Sequence, residues 1–172
     1  MEDIFTLTAE PECSVSSYFY GYFGCACALV LSAMGSAYGI ARCGVGVASI
    51  GPFKPEVVMK SLVPSIMASI VGIYGLIVAV IIASTVTKND YASYKGFAQL
   101  AAGLAVGLSG IAAGWSIGVV GEIGVVHAGH ERKVFVAMVL VLIFAEALGI
   151  YGLIIGIVLS SKGTQVKCHA ST

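Results

Sequence analysis

The chain has 172 residues, of which 58% are hydrophobic and only 10% are charged, and its formal net charge is zero. Soluble domains carry about 25% charged residues, so this composition excludes a water-soluble fold, and a chain without a basic excess is not expected to bind nucleic acid. The length allows about four membrane spans of roughly 20 to 25 residues with short connections.

Four apolar runs follow one another along the chain, and each is long enough to cross a bilayer. Because backbone groups in lipid must hydrogen-bond internally, each run is predicted to be an α-helix, which gives an all-α membrane fold. The predicted spans cover residues 18–41, 62–86, 97–120 and 134–160. The predicted organisation is an N-terminal tail (1–17), a first hairpin (18–86), a second hairpin (97–160) and a C-terminal tail (161–172).

The two hairpins repeat one another in sequence. GIYGLIVAVIIAS at 72–84 and GIYGLIIGIVLSS at 149–161 share seven of thirteen residues at a separation of 77. A weaker match relates the first and third runs at a separation of 75, where it pairs Gly35 with Gly110. Each unit crosses the membrane twice, so the repeat is predicted to be parallel rather than inverted.

Glu146 stands alone in the fourth run, which holds no lysine, arginine or histidine. A charge at the centre of a bilayer costs from roughly 3 to more than 10 kcal/mol, and an intramembrane acid is therefore a functional-site hypothesis. At the separation of 77 its counterpart is Ser69, so only the second hairpin carries an acid. Desolvation disfavours the charged form, so we expect Glu146 to be neutral in lipid and to ionise only where water or a partner's positive charge reaches it.

The chain offers few groups that could support this acid. Tyr151 lies roughly 140° around the helix from Glu146, and Ser69 and Tyr74 are the other candidates for a supporting shell. Sodium requires several oxygen ligands, so the proton is the expected ion. The structural alternative is a neutral acid that hydrogen-bonds a neighbouring helix and holds the bundle together.

Glycines recur at helical spacing in the first and third runs, where they let helix backbones approach closely in lipid. This pattern predicts that these two helices form an inner layer and that the second and fourth form an outer layer. Two arrangements fit it, a four-helix bundle within one chain or inner helices from many copies around a ring axis. The glycines are Gly35, Gly39, Gly103, Gly107, Gly110, Gly114 and Gly118.

No motif in the sequence indicates a resident cofactor. The five cysteines are scattered, His127 and His130 lack the company of a metal site, and no phosphate-binding loop is present. Positive charges slightly favour residues 42–61 and 121–133 over the opposite side, which predicts cytoplasmic loops there and lumenal termini.

Four ordered motifs resemble the c-type proteolipids of V-type proton ATPases. They are GSAYGIARCGVGV, LVPSIMASIVGIYGLIV, GLSGIAAGWSIGVVGEIGV and IFAEALGIYGLI, the last of which contains Glu146, and the resemblance extends from about Tyr18 to Ser161. It implies an oligomeric ring that rotates in a vacuolar or other acidic membrane, or in the plasma membrane, and is driven by ATP hydrolysis in a soluble sector joined through central-stalk proteins. Glu146 matches the carboxylate that carries the proton between half-channels, and a stator protein would supply an arginine.

Two other functions remain open at this point. A tetraspan structural or pore-forming proteolipid would use Glu146 as an interhelical hydrogen-bonding acid. A secondary transporter acting alone would need no ATPase partners, but 172 residues are few for one.

Overall fold

A computed structural model describes residues 16–86 and 93–163 of the chain. Within these ranges the elements are all helical, and four of the helices are long and apolar enough to cross a membrane, which confirms the predicted fold class. The predicted tails fall mostly outside the described residues. The helices are α1 (Ser16–Ile50), α2 (Pro55–Ser61), α3 (Val63–Val86), α4 (Ser93–Ala128) and α5 (Arg132–Gly163).

The inner helices continue beyond the predicted spans. α1 runs past Ala41 to Ile50, and α4 runs past Val120 to Ala128. Hydropathy indicates where the apolar environment ends, whereas a helix ends where its backbone can no longer continue. The chain after Ala41 has no proline before Pro52, and proline removes a helical hydrogen bond, so α1 extends into the region that hydropathy predicted as a loop.

The short helix α2 leads almost directly into α3. Pro55 stands at the start of α2, where its missing N–H costs no helical hydrogen bond. Leu62 keeps a right-handed helical conformation between the two helices, with φ −77° and ψ −16°. The second span therefore has a helical extension at its loop end.

The spans are arranged as an inner pair covered by two outer helices. α1 and α4 make the most extensive contact in the structure. α3 packs against both α1 and α4, and α5 packs against α4 and α3. Glycines at the α1–α4 contact let the backbones of these two helices touch, while the Ile, Val and Leu side chains of α3 and α5 fill the layer around them.

The two hairpins pack in the same way internally. In each hairpin a glycine of the outer helix lies against a small residue of the inner helix, and the next turn repeats the contact against a backbone carbonyl. Every member of one set is 77 residues from its counterpart in the other. The contacts join Gly72 to Ser36 and Gly149 to Ala113, and then Gly75 to the Ala28 carbonyl and Gly152 to the Ala105 carbonyl.

This geometry corrects the separation of 75 that the sequence indicates for the first and third spans. Gly35 and Gly110 do not occupy equivalent positions, because they face each other across the α1–α4 contact. Gly39 and Gly114 do the same, and a methyl group on Gly39 would lie 2.9 Å from the Gly114 oxygen. The match at 75 therefore reflects two helices that present glycines to one another, whereas the structural repeat is 77 throughout.

Candidate functional site: an intramembrane carboxyl group

Glu146 lies near the middle of α5, roughly 21 Å from Arg132 and roughly 25 Å from Gly163 at about 1.5 Å per residue. The hydrocarbon core of a bilayer is about 30 Å thick, so a membrane centred on these helices places the carboxyl group deep in the apolar layer. Glu146 is half-buried against α3 and α4. Its place in the fold agrees with its place in the sequence.

The carboxyl group has one hydrogen-bond partner in the described part of the chain. The Tyr74 hydroxyl on α3 donates to Glu146 Oε1 at 2.8 Å. The other carboxyl oxygen, Oε2, is buried and accepts no hydrogen bond from the described residues. The bond joins the two hairpins, because Tyr74 belongs to the first and Glu146 to the second.

Gly149 makes room for this hydrogen bond. It follows Glu146 by three residues and lies beside the Tyr74 ring, so that a methyl group on Gly149 would sit 3.4 Å from two ring carbons. The Ala113 side chain of α4 closes the same space at 3.5 Å. A larger side chain at Gly149 would displace the ring, so a glycine one helical turn from the acid lets a tyrosine reach it from the neighbouring helix.

The surroundings of the acid contain no compensating cation among residues 16–86 and 93–163. The ion pair that these residues contain joins Arg42 Nε to Glu122 Oε2 at 2.8 Å, and Glu146 takes no part in it. A neutral tyrosine hydroxyl can donate to either the ionised or the protonated carboxyl group. The arrangement therefore suits a carboxylic acid that stays neutral inside this chain and ionises elsewhere.

The other two residues proposed for the supporting shell lie away from the acid. The Ser69 hydroxyl donates to the Ile66 carbonyl of its own helix at 2.6 Å. Tyr151 is 63% exposed on the outer surface of α5. Of the three candidates, the structure brings only Tyr74 to Glu146, and one protein oxygen is far fewer than sodium requires.

The predicted packing glycines all lie at the contact of α1 with α4. A methyl group would come within 2.9 Å of a backbone oxygen at Gly107 and within 3.1 Å of a backbone Cα atom at Gly118 and at Gly110. The remaining members, Gly35, Gly39, Gly103 and Gly114, also face backbone of the partner helix.

One polar cluster at this contact was not expected from the sequence. The position of Glu122 predicted a solvated side chain at a helix end, but it is paired with Arg42 inside the longer α4. Arg42 lies 6.0 Å above the Tyr38 ring, which stacks on Trp115 at 4.7 Å. Two opposite charges at matching ends of the two glycine-rich runs were the signal that could have revealed the pair.

No group of three or more histidine, cysteine or acidic side chains that could hold a metal occurs in the described residues. Cys25, Cys27 and Cys43 are free thiols there, and Cys43 is buried. Its sulfur donates to the Ile117 carbonyl at 3.7 Å. Cys13 and Cys168 lie outside the described residues.

Comparison with known proteins matches the family of ATP synthase C subunits to this chain twice, at residues 23–82 and 100–159. The chain belongs to this ATP synthase family. The two matches begin 77 residues apart, as the packing contacts do, so each hairpin is one copy of the family's unit. Proteins of this family form rings from such hairpins.

Similar relatives are proteolipids of V-type proton ATPases. The 16 kDa proteolipid of Chrysotila carterae is 54% identical over 155 residues, which cover 87% of this chain and 94% of the relative. The 16 kDa c-type proteolipid of Rattus norvegicus is 51% identical over 85% of this chain and 94% of its own length, and the c′ proteolipid of Saccharomyces cerevisiae is 47% identical over 86% and 90%. With four membrane-length helices, the chain is an integral multi-pass family member of the V-type proteolipid class, with a role in the membrane sector of proton translocation.

Proposed function

We propose that the chain is a rotor-ring component of a V-type proton ATPase and that Glu146 binds one proton per chain. The observation that carries the proposal is a half-buried carboxyl group at the membrane centre whose hydrogen-bond donor is an uncharged tyrosine. A cationic partner inside the chain would hold the acid ionised. Without one, the acid keeps its proton while it faces lipid.

The proton enters from one half-channel and leaves through another after the ring has turned. A stator protein lines both half-channels and supplies an arginine that favours the ionised form of Glu146, because an opposite charge nearby stabilises the carboxylate. Moving one proton against 100 mV costs about 2.3 kcal/mol. The energy comes from ATP hydrolysis in a soluble sector that grips the ring through central-stalk proteins. The transported ion is H⁺, and the proposal requires no resident cofactor.

The same proposal assigns the two sides of the membrane. The ends that carry α2 and the turn after α4 face the cytoplasm, and both termini face the lumen of a vacuolar or other acidic compartment. The turn after α4 lies against the loop after α1, since Lys54 Nζ donates to the Gly129 carbonyl at 2.8 Å. The extended ends of α1 and α4 therefore form one surface on that side.

The test is ATP-driven acidification of vesicles that contain Glu146→Gln. The amide can still accept the hydrogen bond from Tyr74, so the ring should assemble at the wild-type level while acidification is lost. Glu122→Gln is the matched control, because it removes the other half-buried acid of a long helix and should leave acidification largely intact. A hydrophobic carbodiimide should label Glu146 in the control and label nothing at position 146 in Glu146→Gln.

The bond from Tyr74 also supports the structural alternative, in which Glu146 serves only to join the two hairpins. That alternative predicts that Glu146→Gln, which keeps an acceptor for the tyrosine, acidifies vesicles at the normal rate. Acidification at that rate would refute the proton-carrier role.

A further inference from the structure

The contact between the two hairpins is made once within the chain, and it leaves one face of each hairpin uncovered. Because the hairpins are copies of one unit and pack alike internally, a ring places the second hairpin of one copy against the first hairpin of the next. The contact within the chain is then the best guide to the contact between copies. Each contact residue of the first hairpin is replaced by the residue 77 positions later, and each of the second by the residue 77 positions earlier.

The inner helices fit this rule. The contact of Gly35 with Gly110 becomes a contact of Ala112 with Ala33 of the next copy, and both alanines are exposed in the single chain. In the same way the contact of Gly24 with Gly103 becomes one of Ala101 with Ala26 of the next copy, and these are also exposed. The uncovered faces of α1 and α4 thus carry small side chains at the heights where helix backbones would approach.

The outer helices give the functional consequence. The hydrogen bond from Tyr74 to Glu146 becomes a contact of Tyr151 with Ser69 of the next copy. Both residues lie exposed on their helices. Gly149, beside the Tyr74 ring, has Gly72 as its counterpart, so the next copy offers the Tyr151 ring a glycine at the same position.

We infer that Tyr151 of one copy lies against Ser69 of the next copy and forms a counterpart of the proton site that lacks a carboxyl group. The partner that this face fits is a second copy of the chain. Each copy then contributes one complete site, within itself, and half of two incomplete sites at its borders. This explains why the acid recurs once for every two hairpins although the tyrosine recurs in both.

The charged cluster marks the difference between the two kinds of contact. Under the same rule Arg42 and Glu122 become Val119 and Val45 of the next copy. The contact inside the chain therefore has an ion pair, while the contact between copies is apolar at the same height. The inference depends on ring assembly and not on whether Glu146 carries a proton.

Thiol cross-linking in assembled rings tests the inferred contact. Two differently tagged chains are co-expressed, one with Ser69→Cys and the other with Tyr151→Cys, and the membranes are treated with a short bifunctional thiol reagent. We expect a dimer that carries both tags at several times the level given by the wild-type chains, whose native cysteines set the background. The matched control pairs Ser69→Cys with Tyr74→Cys, and it should stay at that background because Tyr74 faces Glu146 of its own chain.

A second pair keeps the inference testable if the outer variants assemble poorly. Ala33→Cys and Ala112→Cys on separate tagged chains should form a disulfide dimer under oxidation, whereas Ala26→Cys with Ala112→Cys, at different heights, should not. Intact rings without either dimer, or equal dimer yields in the controls, would overturn the inference. Acidification by the same membranes reports separately on the proposed function, so a cross-link without acidification would contradict only that function.

Discussion

The first and second hairpins have nearly the same internal packing and different chemistry. In both, a glycine of the outer helix lies against an inner-helix carbonyl, at Gly75 in the first and Gly152 in the second. At the membrane centre, however, the first hairpin has Ser69 on its own backbone carbonyl, and the second has Glu146 bonded to a tyrosine of the first. Packing positions have kept small residues in both copies, whereas the ionisable group is present in one.

The comparison shows that the proton site belongs to the pair of hairpins rather than to either one. Glu146 comes from the second hairpin and its hydrogen-bond donor Tyr74 from the first. The space for the tyrosine ring is provided by Gly149 and Ala113 of the second hairpin. A single hairpin would hold the acid without its donor, so the duplication supplies both halves of the site in one chain.

The largest difference between the hairpins should appear when the two corresponding positions are changed one at a time. We expect Glu146→Gln to reduce ATP-driven acidification by at least about 100-fold, because the amide cannot exchange a proton, while Ser69→Ala should keep it within roughly twofold since it loses only a local hydrogen bond. Vesicle acidification at equal ring content measures both. A comparable loss in Ser69→Ala would show that the first hairpin contributes chemistry of its own.

Equivalent glycines should be equally intolerant of added volume. Gly75→Ala and Gly152→Ala each place a methyl group against a neighbouring helix, at 2.5 Å from the Ala28 oxygen and 3.2 Å from the Ala105 oxygen respectively. Overpacking costs about 1 to 3 kcal/mol, so both variants should give less assembled complex in detergent extracts. Gly44→Ala, which meets nothing within 4 Å, is the matched control and should assemble normally.

The two tyrosines should differ by a smaller factor. Tyr74→Phe removes the hydrogen bond to Glu146, worth about 1 kcal/mol, so we expect acidification to slow by roughly fivefold and carbodiimide labelling of Glu146 to change in rate. Tyr151→Phe keeps the ring and should alter labelling by less than about twofold, because its hydroxyl does not reach the acid within the chain. Equal effects from the two changes would contradict the assignment of Tyr74 as the donor.

The smallest effect is expected at the ion pair that only the contact within the chain possesses. Partly exposed pairs contribute about 0.2 to 1 kcal/mol, so Arg42→Gln should lower the thermal stability of the purified chain slightly. Glu122→Gln combined with it should restore part of the loss, since the uncompensated acid is then removed. A double-mutant cycle on thermal unfolding gives the coupling between Arg42 and Glu122, and a coupling of zero would show that the pair does not stabilise the chain.

Much of the fold could be predicted from the sequence because lipid permits few solutions. An apolar run of span length must satisfy its own backbone hydrogen bonds, and this fixed the number and the type of the long helices. The helix ends could not be found in this way, because α1 and α4 leave the apolar layer and continue as helices to Ile50 and Ala128. The identities at a separation of 75 were misleading for a related reason, since a contact and a repeat leave similar glycine patterns.

The candidate site was predictable in its central residue and not in its partners. A lone acid in an apolar helix identifies itself by its desolvation cost. Three residues could have supported it on sequence grounds, and choosing Tyr74 over Ser69 and Tyr151 required knowing which helix faces which. That choice depends on long-range packing, which spacing along one helix does not contain.

The sequence by itself determined that this protein crosses the membrane four times, repeats a hairpin and holds one intramembrane acid, because burial in lipid restricts composition residue by residue. The tertiary structure alone decided that Tyr74 donates to Glu146, that Arg42 pairs with Glu122, and that the repeat is 77 residues throughout. These features join separate helices, and they depend on the rotation and height at which the helices pack. Glycine contacts between α1 and α4 set that rotation and height, and the outer helices then bring the tyrosine to the acid.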